Sequence, residues 1–179
     1  MDKAYYVPIM GAVPSLTTSL LEIPEHPADL LVNSYAYYRR YAVQIDDDGL
    51  EMFGIHHGDY LLFREQRWPT QEGQICLITL GDEVTIRMLE YIYNPSVILR
   101  VGEDLISPLE LAPTDFRVIG VFDGIVKTSL ATLVNAEDPY DDWGCAFLNK
   151  RAGIYKKNME YSGVQYLSTA VRGSFVAPY

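Results

Sequence analysis

The chain has few of the features that mark secreted, membrane-spanning or metal-binding proteins. It contains two cysteines in 179 residues, and Cys76 and Cys145 show neither metal-site spacing nor the density of a disulfide scaffold. Its longest apolar runs are only strand-sized, so we expect no transmembrane helix and no membrane partner. The N-terminus lacks the long apolar segment of a signal peptide. We therefore expect a cytoplasmic protein with no cofactor.

Basic residues are also scarce. The chain has 14 lysines and arginines against 24 acidic residues, which gives a formal net charge of −10. Residues 129–179 contain as many basic as acidic residues, so the negative excess belongs to the first 128 residues. Such a surface repels phosphates, and we expect no direct binding of nucleic acid by this chain alone.

Apolar and polar residues alternate along most of the first 127 residues, which is typical of strands. The predicted strands are Tyr5–Ala12, Arg40–Ile45, Asp59–Phe63, Gln74–Leu80, Glu83–Tyr93, Ser96–Val101 and Phe116–Lys127. Gly81-Asp82 is a good two-residue hairpin turn. The segment His26–Tyr38 is ambiguous and compatible with a short helix. The density of strands predicts a small, mostly antiparallel β-fold.

The pattern changes after Thr128. Ser129–Ala136 predicts a helix that Ser129 would cap, and Trp143–Tyr155 carries a weaker helical signal. We therefore predict a β domain over residues 1–128, followed by a partly helical C-terminal extension over residues 129–179.

Two segments carry the most specific signal. Tyr41–Phe63 reads YAVQIDDDGLEMFGIHHGDYLLF, and Glu83–Leu89 reads EVTIRML. Together they resemble the motifs V-x-G-x-S-M-x-x-x-G-I-x-x-G-D and V-T-V-K-R-L of the S24 peptidase family, which includes the self-cleaving LexA-type repressors and the UmuD proteins. The segment Phe116–Lys127 resembles the family's final strand. The resemblance implies the β-fold of a LexA/UmuD C-terminal domain.

The resemblance places glycine and arginine where the family has its catalytic serine and lysine. Counting back from Gly54, the serine position falls on Gly49; counting forward from Val84, the lysine position falls on Arg87. Glycine has no hydroxyl that can attack a carbonyl carbon, and arginine, with a pKa above about 12, cannot accept the proton. We therefore predict that no catalytic residue remains and that the chain has no peptidase activity.

The family's self-cleavage segment is altered as well. In LexA-like proteins it reads V-P-L-x-G-x-V-A-A-G-x-P, with the scissile Ala-Gly bond near its end. Here Val7–Val13 matches the opening, but the segment continues as Val13-Pro14-Ser15, with no Ala-Gly bond at the position where the family has it. Nucleophile, base and scissile bond are thus all expected to be absent, and these three residues form a degenerate cleavage segment.

The resemblance also bears on assembly. Most LexA-like repressors carry an N-terminal helix-turn-helix module, and we expect none in this chain because the match begins near Met1. Family members pair their terminal strands, which implies a homodimer or a heterologous protein partner. The first hypothesis is therefore a non-catalytic regulator that acts by self-association or hetero-association, as would fit a phage or mobile element. Another interpretation is that the extension folds into the unused substrate groove.

The acidic run Asp46–Asp48 favours either a turn or a metal site, since clustered carboxylates can bind Mg²⁺ or Ca²⁺. His56 and His57 follow, but adjacent histidines on an extended segment point in opposite directions and rarely bind one metal. We therefore assign no metal ligands. The alternative function is a hydrolase with a rebuilt site around these residues, with or without a metal. We also hypothesise that Arg87 pairs with one of the three aspartates.

Tyrosine is frequent, with 14 residues, and is densest between positions 35 and 41. Tyrosine and arginine are enriched at protein interfaces, although alternating tyrosines also cover the faces of sheets. The candidate interaction residues are Tyr35, Tyr37, Tyr38, Arg39, Arg40 and Tyr41.

Overall fold

A computed structural model describes residues 4–22, 24, 26–102 and 105–135. Within these residues the chain forms eleven strands and two short 3₁₀ helices, Glu51–Phe53 and Thr128–Leu130. The strands are β1 (Tyr5–Val13), β2 (Ser19–Leu20), β3 (Ala28–Val32), β4 (Arg40–Ile45), β5 (Tyr60–Arg64), β6 (Gln74–Leu80), β7 (Glu83–Glu90), β8 (Val97–Arg100), β9 (Leu109–Leu111), β10 (Arg117–Val126) and β11 (Leu133–Asn135). No helix in the described ranges is long and apolar enough to cross a membrane.

The strands form one continuous, mainly antiparallel sheet in the order β11-β3-β1-β4-β5-β10-β6-β7-β8-β9, and β2 pairs with β7. β1 and β4 are the parallel neighbours. The mostly β, mainly antiparallel fold that the resemblance implied is confirmed.

Both faces of the central strands are buried. On β6, Ile75 and Leu77 pack into one apolar cluster, while Cys76 and Ile78 pack into another. This two-sided burial explains the continuous apolar run of β6 and the buried position of Cys76, as predicted. The predicted bounds of β4 and β6 are confirmed, and Leu80 pairs with Glu83 across the predicted Gly81-Asp82 turn.

The segment His26–Tyr38, which the sequence left ambiguous, contains strand β3. The helical expectation for the residues after Thr128 is wrong in the described part of the chain. The helix predicted over Ser129–Ala136 is replaced by a 3₁₀ helix and β11, whose Leu133 pairs with Leu30 of β3. Pairing at the sheet edge therefore overrides the capping signal of Ser129. The sheet continues past the predicted boundary at Thr128, while the predicted helix at Trp143–Tyr155 lies outside the described residues.

A buried tyrosine connects β4 to β10. The Tyr41 hydroxyl donates a hydrogen bond to the Ile119 carbonyl oxygen at 2.6 Å, and burial raises the pKa of Tyr41 well above its ordinary value. A Cβ on Gly120 would overlap this hydroxyl and lie 3.0 Å from the Phe63 side chain. Glycine is therefore required beside the tyrosine, and the contact fixes the strand that leads into the Asp46–Gly49 loop.

Candidate functional site

The two motifs come together around the segment that follows β1. Val13 pairs with Ile45 at the end of β4, and its carbonyl oxygen accepts a hydrogen bond from the Asp46 amide at 3.1 Å. The Pro14 carbonyl oxygen then accepts two hydrogen bonds from β7, from the Ile86 amide at 3.1 Å and the Thr85 hydroxyl at 3.0 Å. We call Pro14–Leu16 the strap, because it bridges the first motif and the second.

The Asp47 carboxylate holds the strap. One of its oxygens accepts hydrogen bonds from the Ser15 amide at 2.7 Å and the Leu16 amide at 2.8 Å. The other accepts from the Ser15 hydroxyl and from the Gly49 amide, the latter at 3.0 Å. Burial alone would raise the pKa of Asp47, but these hydrogen bonds outweigh it and lower the pKa below its ordinary value. Asp47 is therefore an ionised anchor for the strap.

Gly49, at the predicted serine position, is in contact with the strap. A Cβ at this position would overlap the Ser15 hydroxyl and lie 2.9 Å from two carbon atoms of the Leu16 side chain. Ser15 is fully buried there. The Gly49 carbonyl oxygen also accepts a hydrogen bond from the Gly102 amide at 3.1 Å. The space that a side chain at position 49 would need is thus filled by the strap.

Arg87, at the predicted lysine position, is a buried cation. Arg87 is only 3% exposed, and its Nε and Nη1 atoms have no hydrogen-bond partner among the described residues. Burial lowers the pKa of Arg87, whereas the negative charge of Asp47 acts in the opposite direction. The predicted ion pair with an aspartate of the 46–48 run is not formed within the described part of the chain. Both Asp47 oxygens accept hydrogen bonds from the strap and Gly49. The negative charge of Asp47 therefore acts on Arg87 without a direct contact between the two side chains.

The remaining acidic and histidine residues of the first motif do not converge on one point. His57 lies 3.6 Å from an Asp46 carboxylate oxygen, and its amide donates to Asp48 at 2.9 Å. His56 instead lies 3.6 Å from Glu51. No three histidine, cysteine, aspartate or glutamate side chains of residues described here are grouped as a metal ion would require. The contacts are those of an acidic turn.

A second carboxylate, that of the buried Asp59, joins the first motif to the residues that follow β10. Asp59 accepts hydrogen bonds from the His56 amide at 2.9 Å, the Lys127 ammonium at 2.8 Å and the Thr128 amide at 3.1 Å. Burial alone would raise the pKa of Asp59, but these hydrogen bonds and the charge of Lys127 lower it below its ordinary value. Sequence reasoning missed both carboxylate anchors; for Asp59, the only signal was its place at the end of the G-I-x-x-G-D motif.

The two anchors predict a loss of stability in acid. Both carboxyls have a lower pKa in the folded chain than in the unfolded chain, so the unfolded chain binds their protons first. Their contribution should be complete above their unfolded pKa, close to the reference value of 3.8, and should be lost as the pH falls through their folded pKa values. Urea unfolding between pH 2.5 and 7, roughly the range in which carboxyls titrate, measures this.

Asp47→Asn is the matched variant for this pH series, because it cannot change its charge. Its unfolding free energy should be lower than that of the original chain at neutral pH and should decrease less as the solution is acidified. Equal slopes against pH for the two proteins would contradict the assignment of Asp47 as an ionised anchor.

The tyrosine cluster divides into buried and exposed parts. Tyr41 is 1% exposed and belongs to the core, so its assignment to an interaction surface is corrected. Tyr38 and Arg40 both contact Asp123, at 2.8 and 3.8 Å. Tyr35 and Tyr37 are 69% and 87% exposed. The exposed Arg39 lies 3.8 Å from Glu65, so the outward-facing part of the cluster consists of two tyrosines and one arginine.

Comparison with known proteins agrees with the sequence motifs. A model of the family described as Peptidase S24-like matches residues 21–123, more than half of the chain. The LexA repressor of Pseudothermotoga lettingae is 19% identical over 130 residues, which cover 70% of this chain and 64% of that repressor. The chain thus spans slightly less than two thirds of this relative's length.

Proposed function

The chain belongs to the Peptidase S24-like family, and we propose that within it this protein is a non-catalytic regulatory or protein-interaction module. A serine–lysine peptidase needs a hydroxyl to attack the carbonyl carbon and a neutral amine to take its proton. Gly49 and Arg87 stand at the positions that the motifs assign to these groups, and neither side chain supplies the required chemistry.

The filled space at Gly49 carries the proposal. In an active site, the substrate carbonyl must lie about 3 Å from the nucleophile. Here the Ser15 hydroxyl lies where a side chain at position 49 would begin. Asp47 accepts three hydrogen bonds from the strap and a fourth from the Gly49 amide. The Ser15 hydroxyl is not itself an activated nucleophile, because its acceptor Asp47 has a lowered pKa and is a poor base. The strap of the same chain therefore fills the space beside Gly49.

A regulatory role draws support from the relative that the comparison found, which is a repressor. Association with protein partners draws support from the exposed aromatic surface formed by Tyr35 and Tyr37 beside Arg39. Tyr5 adds to this surface, since its ring lies 5.5 Å from that of Tyr35. Aromatic side chains of this kind give large contact areas at low entropic cost.

Intact-mass spectrometry of the full chain tests the absence of self-cleavage. After a day at pH values from about 6 to 10, which span the range where a lysine base would lose its proton, we expect a single uncleaved mass. The double variant Gly49→Ser, Arg87→Lys restores both functional groups and is expected to remain uncleaved as well, because the strap still fills the space beside position 49. Cleavage of the unmodified chain at any pH would overturn the proposal.

The hydrolase alternative makes a different prediction. A rebuilt metal-assisted site around Asp46–Asp48, His56 and His57 would bind a divalent cation and stabilise the folded chain. We expect Mg²⁺, Mn²⁺ and Zn²⁺ to leave the thermal unfolding temperature unchanged. A saturable increase that Asp46→Asn abolishes would favour the alternative instead.

A further inference from the structure

Two arginines lie directly opposite each other beside the exposed tyrosines. Arg40 at the start of β4 pairs with Arg64 at the end of β5. Directly opposite residues of an antiparallel pair project from the same face of the sheet, with Cβ atoms roughly 4.5–5.5 Å apart. Like charges in this arrangement destabilise the sheet unless each has a partner of opposite charge. The partners of the two guanidinium groups therefore decide what this surface can bind.

Arg40 has its partners within the chain. Its Nη1 atom donates a hydrogen bond to the Ser34 hydroxyl at 2.9 Å and lies 3.8 Å from the Asp123 carboxylate. Asp123 also accepts a hydrogen bond from the Tyr38 hydroxyl at 2.8 Å. A register shift between β10 and β5 falls at Asp123, and bulges of this kind re-aim side chains. The Asp123 carboxylate is thus committed to Arg40 and Tyr38.

Arg64 has no such partner. Its Nε atom is buried and has no hydrogen-bond partner in the part of the chain that the structure describes. Arg64 also forms none of the ion pairs found there, whereas Arg39 and Arg40 each face a carboxylate at 3.8 Å. Almost all buried polar groups in folded proteins have a partner, and a donor without one costs stability. The partly exposed Arg64 side chain therefore indicates an acceptor on another molecule.

Arg64 belongs to the same surface as the exposed tyrosines. The hydrogen bond to Asp123 raises the pKa of Tyr38. The positive charges of Arg64 and Arg40 act on this pKa in the opposite direction, so both guanidinium groups lie near the Tyr38 ring. That ring contacts the ring of Tyr37, with centroids 5.0 Å apart, and Tyr37 is 87% exposed. A ligand bound to Arg64 can therefore contact an exposed aromatic side chain at the same time.

The charge of this surface is opposite to that of the chain. Its three arginines, Arg39, Arg40 and Arg64, outnumber its two carboxylates, Glu65 and Asp123. The whole chain has a formal net charge of −10. A locally positive surface favours a negatively charged partner, and a guanidinium with an unused donor suits a planar carboxylate. A long polyanion such as nucleic acid fits less well than a short acidic segment, because the remaining negative surface repels it.

We infer that Arg64 and Tyr37 bind a segment of a protein partner in which carboxylates lie beside apolar side chains. A carboxylate on Arg64 gives the buried Nε atom an acceptor and compensates the charge opposite Arg40. The apolar neighbours of that carboxylate pack on the exposed Tyr37 ring. This inference rests on the proposed function, because it names the chemistry of the partner for the aromatic surface. Binding of this kind weakens as the salt concentration rises.

Fluorescence anisotropy tests the inference with a labelled peptide in which glutamate and leucine alternate, added to the full chain. We expect saturable binding that Arg64→Met weakens by roughly tenfold or more in Kd, because the charge-assisted pair is lost while the length of the side chain is kept. The same peptide with glutamine in place of glutamate should not bind. Arg100→Met is the matched control and should leave binding unchanged, since the partly exposed Arg100 already donates to Glu90 at 3.2 Å.

The stability of the same variants gives a second readout. Arg64→Met should raise the midpoint of urea unfolding, because it removes a charge opposite Arg40 and a buried donor without an acceptor. Arg100→Met should not raise this midpoint, since Arg100 has its ion pair with Glu90. A gain in stability together with a loss of binding distinguishes a binding residue from a structural one.

Equal binding of the peptide by the original chain and by Arg64→Met would overturn the inference, and so would a lower stability of Arg64→Met. A single-stranded thymidine oligonucleotide that binds instead of the peptide would assign the surface to nucleic acid and overturn it as well. A mass in light scattering that rises with concentration only when Arg64 is present would assign the surface to a second copy. Cleavage of the chain in the mass-spectrometric test contradicts the proposed function instead, so the two failures can be told apart.

Discussion

Replacing Gly49 with serine is expected to destabilise the fold by roughly 1–3 kcal/mol, the usual cost of adding atoms to a well-packed site, and is not expected to create a peptidase. The added Cβ would overlap the buried Ser15 hydroxyl and press on the Leu16 side chain. Ser15 cannot move away without breaking its hydrogen bonds to Asp47. The free energy of unfolding, measured by urea titration, gives the size of the effect.

Two further variants make this result specific. Gly124→Ser on β10 is the matched control, because a Cβ there would meet only Leu62, at an ordinary distance of 3.6 Å. Ser15→Ala combined with Gly49→Ser removes the overlapping oxygen and should recover part of the lost stability, an interaction that a double-mutant cycle measures. If Gly49→Ser is as stable as the original chain, the strap does not occupy the position that the structure gives it.

The strands that could be predicted from sequence are those that lie at the centre of the sheet. β4 and β6 consist mostly of buried apolar residues, and turn-forming residues follow them. Their first and last residues can therefore be predicted from the sequence. β2, β9 and β11 are two or three residues long, and they exist because a neighbouring strand offers hydrogen-bonding groups. Pairing of this kind depends on residues distant in sequence, so local propensity does not reveal it.

The candidate site was predictable in one respect and not in another. Gly49 and Arg87 could be found because the motif spacing marks their positions. The role of Asp47 could not be found, since its contact with Ser15 joins residues 32 positions apart and nothing in an acidic turn indicates which carboxylate points inward. Asp46 and Asp48 belong to the same acidic run, yet both are exposed. The Asp46 carboxylate lies near the His57 ring, and the Asp48 carboxylate accepts a hydrogen bond from the His57 amide. Only the fold distinguishes the three.

The largest loss of stability is expected for Asp47→Ala. The substitution leaves the amides of Ser15, Leu16 and Gly49 and the buried Ser15 hydroxyl without their acceptor. Charge-assisted hydrogen bonds contribute roughly 1.5–3 kcal/mol each, and unsatisfied buried donors cost about 1–3 kcal/mol. Because the site is partly exposed and water can replace some of these bonds, we expect a total of about 3–4 kcal/mol.

Arg87 adds to this cost. Its buried guanidinium has the Asp47 charge nearby, and removing that charge leaves the cation less compensated. Asp46→Ala deletes an exposed carboxylate of the same run and should change the unfolding free energy by less than about 0.5 kcal/mol. Limited proteolysis supplies an independent readout, since a strap without its anchor should be cut near Leu16 well before the rest of the chain. Equal stability and equal proteolysis of the Asp47→Ala and Asp46→Ala variants would show that the Asp47 carboxylate does not hold the strap against Gly49.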